Sequence, residues 1–347
     1  MAIYSFDPLQ DSRWADFVQT HPNASIFHTT GWLRALRLTY GYEPAVFTTT
    51  PPGVKLTNGI VFCRISSWLT GRRMVSLPFA DHCEPLWESA EDYEEILGFL
   101  RRAIKTENWK YIEIRPRNSE RLAEISTEEK GSSFHFHTLD LRPALQALFS
   151  GLQKSSIQRM IRRADREGLS CEQGRSEALL QEFYSLMLKT RRRHRVPPQP
   201  ISWFRNLIAC LGDRLSIRVA TKNGAPLASV LTLSHRSTLV YKYGCSDERY
   251  HHWGSVPFLF WNAIQEAKDN GLEEFDLGRS DSDNPGLINF KSRWGASSSM
   301  LQYVKFSSHH AERPSGDRRT HIAKRLFAYM PDGLLTAAGK LLYRHIG

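Results

Sequence analysis

The sequence predicts an α/β (α+β) protein: two tandem domains with mixed, mostly antiparallel central sheets flanked by helices, then a C-terminal helical tail. Three observations carry this. A chain of 347 residues is long enough for two sizeable cores. Short strand-like runs alternate with amphipathic helical ones as far as Phe306. Finally, the two halves share an outline of helix, three strands, helix, strand. Ala103-Ile104-Lys105 through Asn108 to Ile112-x-Ile114-Arg115 parallels Ala263-Ile264-Gln265 through Asn270 to Phe275-x-Leu277-x-Arg279. The expected boundaries are 1–145, 146–308 and a basic amphipathic tail over 317–347.

In the first half, Trp14, Phe17 and Val18 fall at helical spacing. Thr29 or Thr30 caps a helix over 31–39, with Trp32, Leu33 and Leu36 on one face. Pro44 to Thr49 and Ile60 to Ile65 read as strands, joined by turn chemistry at Pro51-Pro52-Gly53 and Asn58-Gly59. A strand at Met74 to Leu77 follows. Ser89 then caps a helix over 90–106 that is acidic at its start and basic at its end, as the helix dipole prefers. Tyr111 to Arg115 and Phe134 to Leu139 complete this half.

In the second half, the run Arg159, Arg162, Arg163, Arg166 lies on a helix that Gly168 ends, and Leu169 to Gln173 is a strand. Ser176 caps a helix to about Arg195, which Pro197-Pro198-Gln199-Pro200 breaks. Leu215 to Lys222 and Pro226 to Ser234 form a hairpin about Asn223-Gly224, with Thr238 to Cys245 as its third strand. Ser255 is the expected N-cap of a helix to about Asn270, and Gly271 its left-handed C′ residue. Phe275 to Leu277 is a short strand, with Gly278-Arg279-Ser280-Asp281 at its carboxyl end, where open α/β sheets place ligands. A helix from Pro285 to about Arg293 and a strand from Ser299 to Phe306 close the domain.

A net charge of +10 and a pI near 9.4 favour an anionic partner: phosphate, nucleic acid or membrane surface. Five scattered cysteines without a C-x-x-C argue against a disulfide framework or zinc site. The first thirty residues hold no signal-peptide core, and no window is apolar for the roughly 18 residues of a membrane span. A cytoplasmic protein is expected. The tail offers two basic apolar stripes: Ile322, Leu326 and Phe327, then Leu334, Leu335, Ala338, Leu341 and Leu342. These either lie on an anionic inner-membrane face or fold back on the protein.

Several motifs now align. They are Phe27-His28-Thr29-x-x-Trp32-Leu33-x-Ala35-Leu36, Gly71-Arg72-x-x-x-Ser76-Leu77-Pro78-Phe79, and Ile161-Arg162-Arg163-Ala164-x-x-Glu167-Gly168. After them come Phe275-Asp276-Leu277-Gly278-Arg279-Ser280 and Phe290-Lys291-x-x-Trp294-Gly295-Ala296. Together they resemble the FemAB/FemX-like branch of the GNAT-related acyltransferases, especially its exopolysaccharide-associated members. That resemblance implies two GNAT-like domains and transfer of an acyl or aminoacyl group to an amine. The acceptor would be a small molecule or a lipid- or nucleotide-linked sugar of the envelope, with tRNA a possible donor carrier and no role for DNA.

Such transfer is direct attack of a neutral amine, so it needs positioning, proton removal and oxyanion stabilisation rather than a nucleophilic Ser or Cys. Lys291 matches the lysine of the family's Phe-Lys motif and is the expected oxyanion stabiliser; otherwise it is a surface lysine. Tyr243 is the candidate general acid, sharing a strand face with Tyr241, unless both are core. Asp81 is a candidate proton acceptor or a cap. Arg279, Ser280 and Asp281 are candidate substrate contacts, or an Arg–Asp pair fixing a loop. Gly254, Ser255 and Val256 open a helix whose N–H groups suit a donor pyrophosphate. The loop Arg249 to Val256 departs from the full R/Q-x-x-G-x-G/A pattern, which leaves acyl-CoA and aminoacyl-tRNA both open as donor. Thr190 and Arg192 resemble the segment that holds acceptor phosphates. No metal is expected, since adjacent His251 and His252 point to opposite sides of an extended chain. The rival from another class is a catalytically silent scaffold for envelope-polymer assembly.

Overall fold

A computed structural model describes residues 2–118, 130–307, 327 and 330–346, which divide into two compact units. The first takes 2–118, 130–134, 300–307 and 340–346; the second takes 135–299, 327 and 330–339.

The first unit begins with β1 (Tyr4–Phe6), too short for any periodicity to announce it. In α1 (Ser12–Thr20), Trp14, Phe17 and Val18 turn inward, and Asp11 caps the helix by accepting the Arg13 N–H at 3.1 Å. Thr29 caps α2 (Thr30–Tyr40), and Gly41 ends it in the left-handed conformation. There follow β2 (Glu43–Thr48), β3 (Ile60–Ser67), β4 (Gly71–Val75), α3 (Ala90–Thr106) and β5 (Tyr111–Ile114). Strands β1 to β4 pair antiparallel in chain order, whereas β4 and β5 run parallel through Arg73↔Tyr111, Met74↔Ile112 and Val75↔Glu113. Residues 304–307 of β12 (Ser297–Ser307) pair with β5. Ile96, Leu97, Leu100 and Ile104 of α3 pack against Phe47, Phe62 and Ile112. The chain end is stitched into this unit. Tyr42 Oη donates to the Tyr343 carbonyl at 2.6 Å, and Thr70 Oγ1 and Arg73 Nη2 donate to the His345 carbonyl at 2.8 and 2.6 Å.

The second unit holds most of β6 (Lys130–Asp140), then α4 (Leu145–Gly151), α5 (Arg159–Arg166), β7 (Ser170–Gly174) and α6 (Glu177–Arg193). After them come α7 (Ile201–Leu211), β8 (Leu215–Lys222), β9 (Ala225–His235) and β10 (Thr238–Ser246), and then α8 (Ser255–Asp269), β11 (Glu274–Asp281) and α9 (Pro285–Ser292). The strand order is β6-β11-β10-β9-β8-β7. Helix α7 escapes a reading that stops at the Pro-rich break. Pro200 is its N-cap, and Trp203, Phe204, Leu207 and Leu211 bury its apolar face. Asn223 and Gly224 carry the hairpin turn at φ 51° and 76°. Strand β11 also continues through Gly278 to Asp281, so the polar cluster read as a loop lies within the strand.

The repeat is real at the level of pairing. The run α2-β2-β3-β4-α3-β5 and the run α7-β8-β9-β10-α8-β11 both build antiparallel strands followed by one parallel crossover. Of the tail, 320–326 lies outside the described residues. In the second unit, α10 (Asp332–Tyr343) buries Leu335 completely and brings Gly339 so close to the Pro198 carbonyl that a Cβ would lie 2.0 Å from its oxygen.

Candidate active site

The parallel contact between β10 and β11 stops early. They pair at Thr238↔Glu274, Leu239↔Phe275 and Val240↔Asp276 only, yet β10 runs on to Ser246 and β11 to Asp281. A distortion follows in each strand. In β10 an extra residue, Lys242, breaks the register with β9 between Tyr241 and Tyr243. In β11, Gly278 sits at φ 73°, and its N–H donates to the buried Asp276 Oδ1 at 2.7 Å. A bulge bends its strand and a positive-φ glycine redirects it, so the two edges part into a wedge. The corresponding place in the first unit is closed differently. After β4 the chain turns through Leu77 at φ 66°, and the Arg115 guanidinium donates to the carbonyls of Leu77 and Ala80.

The bulge also corrects the expected tyrosine pair. Tyr241 packs against Phe260 of α8 at 4.7 Å, while Tyr243 packs against Phe204 of α7 at 5.1 Å. One inserted residue reverses the alternation, so they do not share a face. Tyr243 Oη accepts the Trp203 indole N–H at 2.9 Å. Burial pushes the Tyr241 hydroxyl and the nearby Cys245 thiol up, so neither ionises at neutral pH.

Beyond β10 the chain makes a two-turn 3₁₀ segment, Glu248–Trp253, and then α8. Asp247 anchors this corner. Its carboxylate takes bonds from Arg249 and from Lys189 Nζ at 2.9 Å; Arg249 chiefly, with Lys189, holds it well below the usual carboxylate range. His251 Nε2 bonds Ser246 Oγ at 2.7 Å, which occupies that nitrogen. Gly254, not Ser255, is the N-cap. It takes φ 77°, and a Cβ there would lie 2.3 Å from the Met160 carbonyl oxygen on α5, so glycine is needed twice over. Ser255 and Val256 then present the first helical N–H groups, Pro257 having none. The Ser255 hydroxyl is buried with no hydrogen-bond partner among the described residues.

On the opposite side of the wedge, α9 returns Lys291 to β11. The residue is 2% exposed, and its ammonium donates to the carbonyls of Gly278 and Arg279, each at 2.8 Å. Lys291 is therefore a buried charge held at the kink, not a surface lysine. Phe290 and Trp294 pack on Phe260 at 5.5 and 5.2 Å and fix the helix there. His137 on β6 was not among the residues singled out. It is 0% exposed, neither ring nitrogen has a partner among the described residues, and burial, then the Lys291 charge, lowers its pKa to about 4. The alternation Phe134-His135-Phe136-His137 was the available signal, since period two puts both histidines on the Leu139 face.

The remaining candidates are scattered. Ser280 is buried, its hydroxyl without a hydrogen-bond partner among the described residues; Arg279 is half-buried, and Asp281 is exposed, its carbonyl accepting the Asn284 N–H. Thr190 is spent within the fold: its hydroxyl accepts the Ser246 N–H at 2.9 Å and donates to the Ser246 carbonyl at 3.2 Å. Arg192 donates to the Met330 carbonyl at 3.1 Å and pairs with Asp332, gripping the start of α10. Asp81 belongs to the first unit, where its carbonyl accepts the Tyr303 hydroxyl at 2.6 Å.

Residues 152–292 match the family model for an acetyltransferase (GNAT) domain. Among solved structures, the chain is similar to FemX, at 15% identity and a TM-score of 0.68 over 88% of this chain and 97% of that one. It is also similar to the C-terminal domain of a protein described as a lysylphosphatidylglycerol synthetase from Agrobacterium fabrum (14%, TM-score 0.56, 94% and 95% covered). A third is a tandem GNAT protein from the clavulanic acid biosynthesis pathway (10%, TM-score 0.55, 90% and 99% covered). No curated protein matches the chain in sequence.

Proposed function

Because residues 152–292 match the model of an acetyltransferase (GNAT) domain and the fold is similar to that of FemX, we propose that the protein moves an acyl group from acyl-CoA to an amine on a cell-envelope or exopolysaccharide precursor. The wedge between β10 and β11 carries this reading. Among the described residues the β10–β11 pairing ends at Val240, and an extended chain bearing amides, such as a pantetheine arm, matches a strand edge at that opening. Where that arm ends, Ser255 and Val256 offer N–H groups at a helix N-terminus for the pyrophosphate, and the unpartnered Ser255 hydroxyl adds a donor.

In the reaction, the amine nitrogen bonds to the thioester carbonyl carbon and the carbonyl oxygen becomes an oxyanion. The C–S bond then breaks, CoA leaves as thiolate, and the amine proton passes to solvent or to that thiolate. Lys291 places a fixed positive charge at the β11 kink, where the wedge opens, and stabilises the oxyanion. Arg279 and Ser280 line the same strand toward the acceptor. A second reading, aminoacyl-tRNA as donor, draws on the exposed Arg159, Arg162 and Arg166 of α5, which would track an RNA backbone with strong salt dependence.

Titration of CoA into the purified chain, with Ser255→Ala beside it, tests the donor. The expected result is saturable CoA binding that Ser255→Ala weakens about tenfold to a hundredfold, the scale of a lost hydrogen bond to a charged group. Absence of CoA binding, with tRNA retained through purification, would replace this reading by the second.

A further inference from the structure

The turn joining β3 to β4 exposes apolar surface. Trp68 is 83% exposed and Leu69 53% exposed, and both belong to the first unit. The chain end adds to the same surface. The turn seats His345 by four contacts: the Thr70 and Arg73 bonds to its carbonyl, a Ser67 Oγ bond to its Nδ1 at 2.9 Å, and the Trp68 ring edge-on at 5.6 Å. Ile346, the next residue, is 53% exposed, and Leu341, one helical turn before His345, is 60% exposed.

This tip is braced, not loose. Ser67 Oγ accepts the N–H groups of Leu69 and Thr70, each at 3.1 Å, so the turn holds its indole out in water. The polar neighbours are mostly basic. Arg72, Lys110 and Arg344 are exposed, and Lys110 Nζ lies 3.5 Å from the Thr70 carbonyl. The nearby acidic group is Glu107, whose carboxylate accepts the Trp109 indole N–H and whose carbonyl accepts Arg72. An indole with aliphatic neighbours, ringed by cations, matches the boundary between headgroups and acyl chains of an anionic bilayer. It suits a second copy of this chain poorly, because pairing two such tips would bring like charges together.

We propose that the β3–β4 tip with the chain end is a shallow membrane-docking surface: Trp68, Leu69 and Ile346 enter the interface of an anionic leaflet, and Arg72, Lys110 and Arg344 meet its phosphates. This rests on the first unit alone and is independent of the transfer reaction. The sequence left the tail stripes either on a membrane face or folded back on the protein. Of the second stripe, Leu335 is spent on packing, whereas Leu334 and Leu341 stay 61% and 60% exposed, and Trp68 at this turn is more exposed than either.

The test is co-sedimentation of the full chain at low salt with vesicles of phosphatidylcholine, with and without phosphatidylglycerol. The comparison protein is Trp68→Ser combined with Leu69→Ser. Both positions are exposed, and matching thermal melts would confirm that the variant folds. The expected result is pelleting with phosphatidylglycerol vesicles, reversed by salt, and a bound fraction at least tenfold lower in the variant. Failure of the parent protein to pellet, equal pelleting of a folded variant, or a self-association that the double change abolishes would each overturn the proposal.

Discussion

At the scale of single residues, Lys291 carries the clearest expectation. Lys291→Met keeps the chain length and removes the charge, so turnover should fall roughly a hundredfold or more if the ammonium stabilises the oxyanion. The Gly278 and Arg279 carbonyls would also lose a donor, which should cost about 1–3 kcal/mol of stability in urea unfolding. Near-parental turnover in the folded variant would remove Lys291 from the site. His137 makes a pH prediction. Its folded pKa near 4 lies below the ordinary 6.5, so between those values the unfolded chain binds a proton that the native one refuses. Its contribution is complete above about pH 6.5 and is lost as pH falls toward 4, by on the order of 1–3 kcal/mol. His194, His235 and His251 are lowered for the same leading reason, burial. His137→Leu should therefore shrink, without abolishing, the drop in urea midpoint between pH 7 and pH 4.5. An unchanged drop would mean that His137 is protonated in the native state.

At the scale of elements, the decisive structure is the corner where α6 meets the end of β10. The motif around Thr190 resembles an acceptor-binding segment, but the Thr190 hydroxyl closes both backbone groups of Ser246. Thr190→Val should cost about 1–3 kcal/mol, because a buried N–H and C=O lose their partner. Equal urea midpoints for the two proteins would show that the latch contributes nothing. Most elements were legible because their signals are local. The caps Thr29 and Ser176, the Asn223-Gly224 turn and the Gly271 stop all act within a few residues of themselves. The bulge at Lys242 was not legible, since nothing in Tyr241-Lys242-Tyr243 departs from strand alternation. Nor was the Gly254 cap, because the crowding that demands glycine comes from Met160, 94 positions earlier in the chain.

For the molecule as a whole, the chain end matters to the first unit. Deleting residues 340–347 removes one hydrogen-bond partner each from Tyr42, Ser67 and Thr70, and takes one carbonyl from the buried Arg73 guanidinium. The deletion should lower stability by about 2–4 kcal/mol, several degrees in melting temperature. An unshifted melt would show that these contacts are not needed for the fold. Among the described residues, no helix is long and apolar enough to cross a membrane.

By itself the sequence determined the α/β class, the duplicated order of helices and strands, and the FemX-like resemblance, because periodicity, caps and motifs are written in neighbouring residues. Tertiary structure alone decided where β10 and β11 part, that Lys291 is a buried charge on two carbonyls, that Tyr241 and Tyr243 face opposite layers, and that Thr190 is consumed by the fold. Each of those depends on a partner from another element of the fold. Burial and hydrogen-bond satisfaction are properties of such pairs, and no window of sequence contains both members.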